Sequence, residues 1–140
     1  MDNYIEMKLP AISKNEAFAR NAVAAFCVEL NPTVDEIDDI KTAVSEAVTN
    51  CIVHAYGGKE GEITIRATID GLILHIAVMD CGVGIDDVEN ALKPFYTTRP
   101  DEERSGMGFT IMETFMDELV VRSVKGEGTS VEMTKNFYRK

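Results

Sequence analysis

Glu46 and Asn50 stand four residues apart in the run Ser45-Glu46-Ala47-Val48-Thr49-Asn50. On a helix, positions i and i+4 share one face, so the carboxylate and the carboxamide project together, with His54 one turn further on. A paired carboxylate and carboxamide make a polar site if the rest of the chain gives them something to act on. An ordinary solvated helix face has the same look. Asp80 ends a strongly apolar run, where an unpaired buried carboxylate would be costly and a ligand's exocyclic amine would satisfy it. Gly106-Met107-Gly108 opens a helical pattern, and a helix start offers free N–H groups and a positive dipole end to an anion. The segment before it carries Lys93, Arg99 and Arg104 in a chain otherwise poor in basic residues.

The glycine pairs do not fit the common nucleotide fingerprints. The third glycine of a dinucleotide motif would fall on Asp87 after Gly82-Val83-Gly84 and on Ile111 after Gly106-Met107-Gly108, and the first pair follows a hairpin strand with no βαβ unit. No G-x-x-x-x-G-K-[ST] run exists, so a P-loop is excluded. Taken singly, each pair is also what a turn requiring glycine's positive φ would show.

The elements that must position these residues follow from periodicity. Residues 4–9 alternate, with Ile5, Met7 and Leu9 on one face, and Pro10 ends the strand. Ser13-Lys14-Asn15-Glu16 reads as a capping box opening a helix to about residue 30, with Phe18, Ala22, Ala25 and Phe26 inward and Glu16, Arg20 and Ala24 outward. Thr33-Val34-Asp35-Glu36 is a second capping box. It starts the helix that carries Glu46 and Asn50, whose apolar back is Ile37, Ile40, Val44, Val48, Cys51 and Ala55 and whose stop is Gly57-Gly58. Residues 62–69 alternate, Asp70-Gly71 signals a tight hairpin, and residues 72–79 read as a central strand covered on both sides. Asp86 or Asp87 is expected to cap a short helix to about residue 92. Residues 93–105 lose all periodicity and form a long polar loop of the kind that carries function. A helix to about residue 116 follows, then strands at 119–124 and 129–134 around the turn at Lys125, and a loose basic tail from residue 135. Strands grouped as adjacent hairpins predict an α+β fold: a two-layer α/β sandwich with a mixed, mostly antiparallel sheet and helices on one face.

Bulk properties set outer bounds. The chain has 140 residues and suits one domain spanning 1–140. Its formal net charge of −10 argues against non-specific binding to nucleic acid or an anionic membrane, favours partners with basic patches, and also serves simple solubility. Cys27, Cys51 and Cys81 are an odd count without close pairing, read as reduced thiols of a cytoplasmic protein. Neither a signal sequence nor an apolar run long enough to span a bilayer is evident, so the expectation is no membrane insertion.

Glu46-x-x-x-Asn50, Asp80-x-Gly82-x-Gly84, Gly106-x-Gly108 and Gly128-Thr129 resemble, in order and context, the ATP-binding motifs of the GHKL superfamily of topoisomerases, heat-shock chaperones, histidine kinases and mismatch-repair ATPases. Within it, the Ser45–Asn50 wording, the single-domain size and the run from Glu103 to Met112 most resemble the anti-sigma-factor serine kinases of spore-forming bacteria. The resemblance implies ATP and Mg²⁺ as cofactors. Asn50 would hold Mg²⁺, and one protein oxygen suffices because Mg²⁺ keeps its waters and takes phosphate ligands. Glu46 would take or orient the proton of the attacking hydroxyl, and Asp80 would accept from the adenine amino group. Gly82 and Gly84 would let backbone approach the nucleotide, and Thr129 would line the adenine pocket. Gly106 and Gly108 would hinge a lid at about 93–108 and cradle the phosphates. Arg104 is the candidate for γ-phosphate contact, and Arg99 and Lys93 are secondary candidates that read first as solvated.

The resemblance further implies a sporulation sigma factor as a sequestered partner, a serine of an anti-anti-sigma factor as the phosphoryl acceptor, and a homodimer. His54 and His75 read as structural, because the histidine-kinase branch places its acceptor on a preceding helix. An exposed Arg20 amid small residues suggests a partner surface with Glu16. Two alternatives stay open: a nucleotide-gated binding module that transfers no phosphate, and the isolated ATP-binding lobe of a histidine kinase. Glu46 favours the enzyme, since a module that only binds needs no base beside Asn50.

Overall fold

A computed structural model of the chain describes residues 2–85, 88, 92 and 108–138. Most of the short helix expected to about residue 92 and the whole polar loop at 93–105, with Lys93, Arg99, Arg104 and also Gly106, lie outside the described residues. The elements run β1 (Asn3–Pro10), α1 (Lys14–Phe26) with a 3-10 extension (Cys27–Leu30), α2 (Val34–Asn50) with a π-helical turn (Cys51–Ala55), β2 (Glu62–Asp70), β3 (Ile73–Asp80), α3 (Gly108–Phe115), β4 (Glu118–Val124) and β5 (Gly128–Asn136). The strands form one sheet in the order β1-β2-β3-β5-β4. Every pairing is antiparallel, so the sheet is not mixed among the described strands. Helices α1, α2 and α3 cover one face, as an α+β two-layer sandwich requires.

The core lies between that face and the helices. Ile63, Ile65, Ala67 and Ile69 from β2, Leu74, Ile76 and Val78 from β3, and Val131 and Met133 from β5 meet Ile40, Val44 and Val48 of α2. Alternation in the strands and the 3.6-residue repeat in α2 therefore carry the same message as the sequence. Strand β3 is central in the sheet but covered on one side only. Its other face holds half-buried Ile73, Ala77 and Met79 and exposed His75, because all three helices are on the opposite side. No helix among the described residues is long and apolar enough to cross a membrane.

Four local expectations are corrected. Helix α1 buries Ala19 and Val23, continued by Cys27 and Leu30, rather than the Phe18 stripe, and Phe18 is left 56% exposed. Small residues on the inner face let α1 approach α2 closely, a choice that the pattern of α1 alone does not reveal. Ser13 forms no side-chain cap, because its φ of −54° and ψ of −34° are helical, whereas a capping residue needs an extended backbone to turn its oxygen inward. The hairpin closes one residue later than expected: Asp70 pairs with Ile73 around Gly71-Leu72, with Gly71 at φ +60°. The chain after residue 134 is not loose as far as described. Lys135 is buried, with Nζ donating to the Phe115 carbonyl at 2.7 Å, and Phe137 is packed into the core.

Candidate functional site

Thr33 opens α2 with a complete capping box, its Oγ1 accepting from Glu36 N and its own N–H donating to Glu36 Oε1 at 2.8 Å. The buried back of α2 fixes the helix's rotation, so Glu46 and Asn50 share the half-buried opposite side. Helix α3 begins directly against them. A Cβ added to Gly108 would lie 3.3 Å from both Asn50 Nδ2 and Oδ1 and 3.4 Å from Glu46 Oε2. Tertiary packing thus brings the first described turn of α3 onto the carboxylate–carboxamide pair. Met112 and Met116 sink into the core and hold α3 in that position.

Past Asn50 the helix widens into the π turn, where Tyr56 N donates to Cys51 O across five residues. A wider turn no longer repeats every four residues, so His54 does not simply extend the Glu46–Asn50 row. The turn instead presents Cys51 to the end of β3. Its buried Sγ donates to Asp80 Oδ2 at 3.5 Å.

Asp80 has partners within the protein, which offset the cost of its place at a strand end. Oδ1 accepts from Gly82 N at 2.9 Å and Thr129 N at 3.2 Å, and Oδ2 accepts the Cys51 thiol. Burial nonetheless holds its pKa above the ordinary carboxylate value, with these three hydrogen bonds pulling the other way. A carboxylate offers about four lone-pair sites, and the described residues fill three of them.

The glycines around Asp80 make close backbone contacts within the protein. A Cβ on Gly82 would overlap the Ala55 carbonyl and lie 2.7 Å from Ala55 Cβ. At φ +77°, Gly84 sits against the Val124 carbonyl, and Gly128 at φ +127° sits against the Asp80 carbonyl. These positions lock the π turn and the β4–β5 turn onto the end of β3.

Sequence reasoning passed over Cys51, Tyr56 and Ser123. The Tyr56 hydroxyl donates to the Glu62 carbonyl at 2.6 Å and accepts from Cys81 N at 2.8 Å, tying the helix end to two strands. Ser123 Oγ accepts from Ile85 N at 2.7 Å and shares a hydrogen bond with Thr129 Oγ1 at 2.8 Å. Cys51 alone carried a signal, since it follows Asn50 directly and lies on the helix's buried back. Nothing in the sequence marks the other two.

Two clusters result: Glu46, Asn50 and Gly108, and Asp80, Gly82, Cys51 and Thr129, joined through the peptide between Asn50 and Cys51. Glu16 and Arg20 lie apart on α1, where Arg20 Nη1 bridges both Glu16 oxygens at 2.6 Å. His75 faces Thr134 Oγ1 at 3.2 Å on the open side of the sheet. The described residues contain no group of three or more His, Cys, Asp or Glu able to hold a metal. A cation beside Asn50 therefore suits a hard ion that takes most of its ligands from phosphate and water.

Comparison with known proteins agrees with this architecture. Residues 9–135 match the histidine kinase-like ATPase domain family. The chain is 60% identical over 138 residues to the anti-sigma F factor of Caldanaerobacter subterraneus subsp. tengcongensis, covering 99% of this chain and 96% of that protein. It is 56% identical over 137 residues to the anti-sigma F factor of Clostridium acetobutylicum, covering 98% and 96%. The solved RsbU and RsbW domains of a Mycobacterium tuberculosis protein share the fold, with a TM-score of 0.66 at 18% identity over 96% of this chain and 32% of that one. So does the catalytic domain of the histidine kinase ThkA, with a TM-score of 0.59 at 16% identity over 96% and 95%. The chain is therefore a histidine kinase-like ATPase domain of the GHKL type, belonging to the family of the anti-sigma F factors.

Proposed function

We propose that this protein is an ATP-dependent protein serine kinase and anti-sigma factor, which sequesters a sporulation sigma factor and phosphorylates a serine of an anti-anti-sigma factor. The observation that carries the kinase reading is the seating of Gly108 on Glu46 and Asn50, which puts the glycine end of α3, a carboxylate and a carboxamide at one point. Asp80 takes the adenine amino group. Thr129, whose N–H orients Asp80, lines the same end. Asn50 holds Mg²⁺, which neutralises phosphate charge when bound. Gly108, with Gly106 beyond the described residues, cradles the phosphates, and Arg104 answers the γ-phosphate charge.

In the transfer itself, the acceptor serine oxygen bonds to the γ-phosphorus as the bond to the ADP oxygen breaks. Glu46 receives the hydroxyl proton, and ADP departs. Phosphoryl transfer needs mainly positioning and charge neutralisation, so Glu46 contributes less than the residues that hold the phosphates. Glu16 and Arg20 form part of the partner surface, and the protein works as a cytoplasmic homodimer. The names of its relatives support the sigma-factor partner.

The test is label transfer from γ-labelled ATP to candidate anti-anti-sigma partners by the wild type, Asn50→Ala and Glu46→Gln. Asn50→Ala is expected to abolish Mg-ATP binding, and Glu46→Gln to keep binding while losing transfer. Equal loss of binding in both variants refutes the division of roles. Nucleotide-dependent complex formation with no label on any partner serine would leave a binding module in place of a kinase.

A further inference from the structure

Cys51 is a buried thiol to which the reaction assigns no task, yet its side chain donates to the carboxylate proposed above as the base-recognition group. The two oxygens of Asp80 are not equivalent. Oδ1 takes both backbone donors, Gly82 N at 2.9 Å and Thr129 N at 3.2 Å, which fills its two lone-pair sites. Among the described residues, Oδ2 takes only the thiol at 3.5 Å, one partner against the two on Oδ1. A ligand amine must therefore approach the same oxygen that Cys51 holds. We propose that Cys51 is a positioning residue for nucleotide specificity: its thiol fixes Asp80 Oδ2 as a bare acceptor, so that the pocket takes a 6-aminopurine and rejects a 6-oxopurine.

The chemistry is a matter of donor and acceptor. An ionised carboxylate accepts from an exocyclic amine and repels a 6-oxo oxygen, whereas a protonated carboxyl can donate to that oxygen and accept it. Burial already favours the protonated form of Asp80, and three donors oppose it. Two are backbone N–H groups, which side-chain substitutions other than proline leave in place. Cys51 is the side-chain donor, and it sits on the oxygen where a proton would do most to admit the wrong base. The titratable groups facing Asp80 are Cys51 and Tyr56 from the π turn and Cys81 beside it. The neighbouring donors from β5 and the turn after β3, Thr129 N and Gly82 N, do not titrate.

The inference rests on the reading of Asp80 as the adenine contact, and the experiment separates the two. Calorimetric affinities for Mg-ATP and Mg-GTP are measured on the full chain from about pH 5 to about pH 8, for the wild type, Cys51→Ala, Cys51→Val and Cys51→Ser. Valine fills the thiol's space without a donor, and serine restores a donor. The wild type is expected to prefer ATP and to lose that preference as the pH falls. A weak donor to a charged acceptor lies at the low end of such hydrogen bonds, so Cys51→Ala and Cys51→Val shift that loss upward by about one pH unit, about a tenfold fall in the ATP-to-GTP ratio near the midpoint. Cys51→Ser keeps the wild-type profile. No preference for ATP in the wild type overturns the Asp80 reading, and the inference with it. A wild-type preference that Cys51→Ala and Cys51→Val retain at every pH overturns the inference alone. An equal shift in Cys51→Ser and Cys51→Val assigns the effect to packing, which also overturns it.

Discussion

Gly108→Ala separates the chemistry of the site from the stability of the fold. Gly108 opens α3 without the positive φ that would strain an alanine. On the helix side the substitution gains up to about 1 kcal/mol in propensity. On the site side the new methyl lies 3.3 Å from both polar atoms of Asn50 and 3.4 Å from Glu46 Oε2. Those neighbours are side-chain ends, so they yield by a few tenths of an ångström rather than forcing the backbone apart. Net stability should therefore stay within about 1 kcal/mol of wild type. Catalytic positioning is less forgiving: a misplacement of about 1 Å costs about 100-fold, so a shift of a few tenths should cost about tenfold or somewhat less in phosphoryl transfer. Thermal melts, ATP affinity and label transfer, measured on one preparation, make the comparison. An unchanged melt with unchanged affinity and transfer would show that the Gly108 contact has no bearing on the site. A collapse of the melt in step with activity would make Gly108 a folding residue instead.

Gly128→Ala should behave in the opposite way. Its φ of +127° and the overlap of a Cβ with the Asp80 carbonyl leave only backbone to give way. Strain and overpacking together predict a loss of about 2–6 kcal/mol in denaturant unfolding, and a change under about 0.5 kcal/mol would contradict the close approach. Thr33→Ala should cost about 1 kcal/mol by breaking the capping box, whereas Ser13→Ala should stay within about 0.5 kcal/mol because Ser13 caps nothing. Equal effects from the pair would contradict the cap assignments. Thiol alkylation of the folded protein at mildly alkaline pH should modify exposed Cys81 and spare Cys27, whose pKa burial pushes up to about 12, and Cys51, which burial also raises. Mass spectrometry of the labelled peptides reads the result, and fast labelling of Cys51 would show that the π turn opens readily.

Much of this protein is written in local pattern. The period-2 strands from Ile63 to Ile69, the capping box at Thr33 and the apolar back of α2 each follow from side-chain direction and nearby hydrogen bonds, so neighbours in sequence suffice to reveal them. The candidates Glu46, Asn50, Asp80 and Gly108 could be picked out for the same reason: each stands on a helix face, at a strand end or in a glycine pair, where the signal is local. The failures fall where two elements compete for one surface. Phe18 and Ala19 lie on adjacent stripes of α1, and only the close approach of α2 selects the smaller residue for burial. Ser13 has the right residue type but the wrong backbone, which the chain's path from β1 into α1 dictates.

The sequence by itself determined the elements, their order and the candidate residues, because periodicity, capping and turn chemistry act over a few positions. Only the tertiary structure decided that Gly108 rests on Glu46 and Asn50, and that Asp80 is held by Thr129 and Cys51 as well as by nearby Gly82. The tertiary bonds to Asp80 join residues 29 and 49 positions apart, as Cys51–Asp80 and Asp80–Thr129 show. They exist because burying the apolar faces of α2, α3 and the sheet in one core leaves a single way to bring the polar ends together.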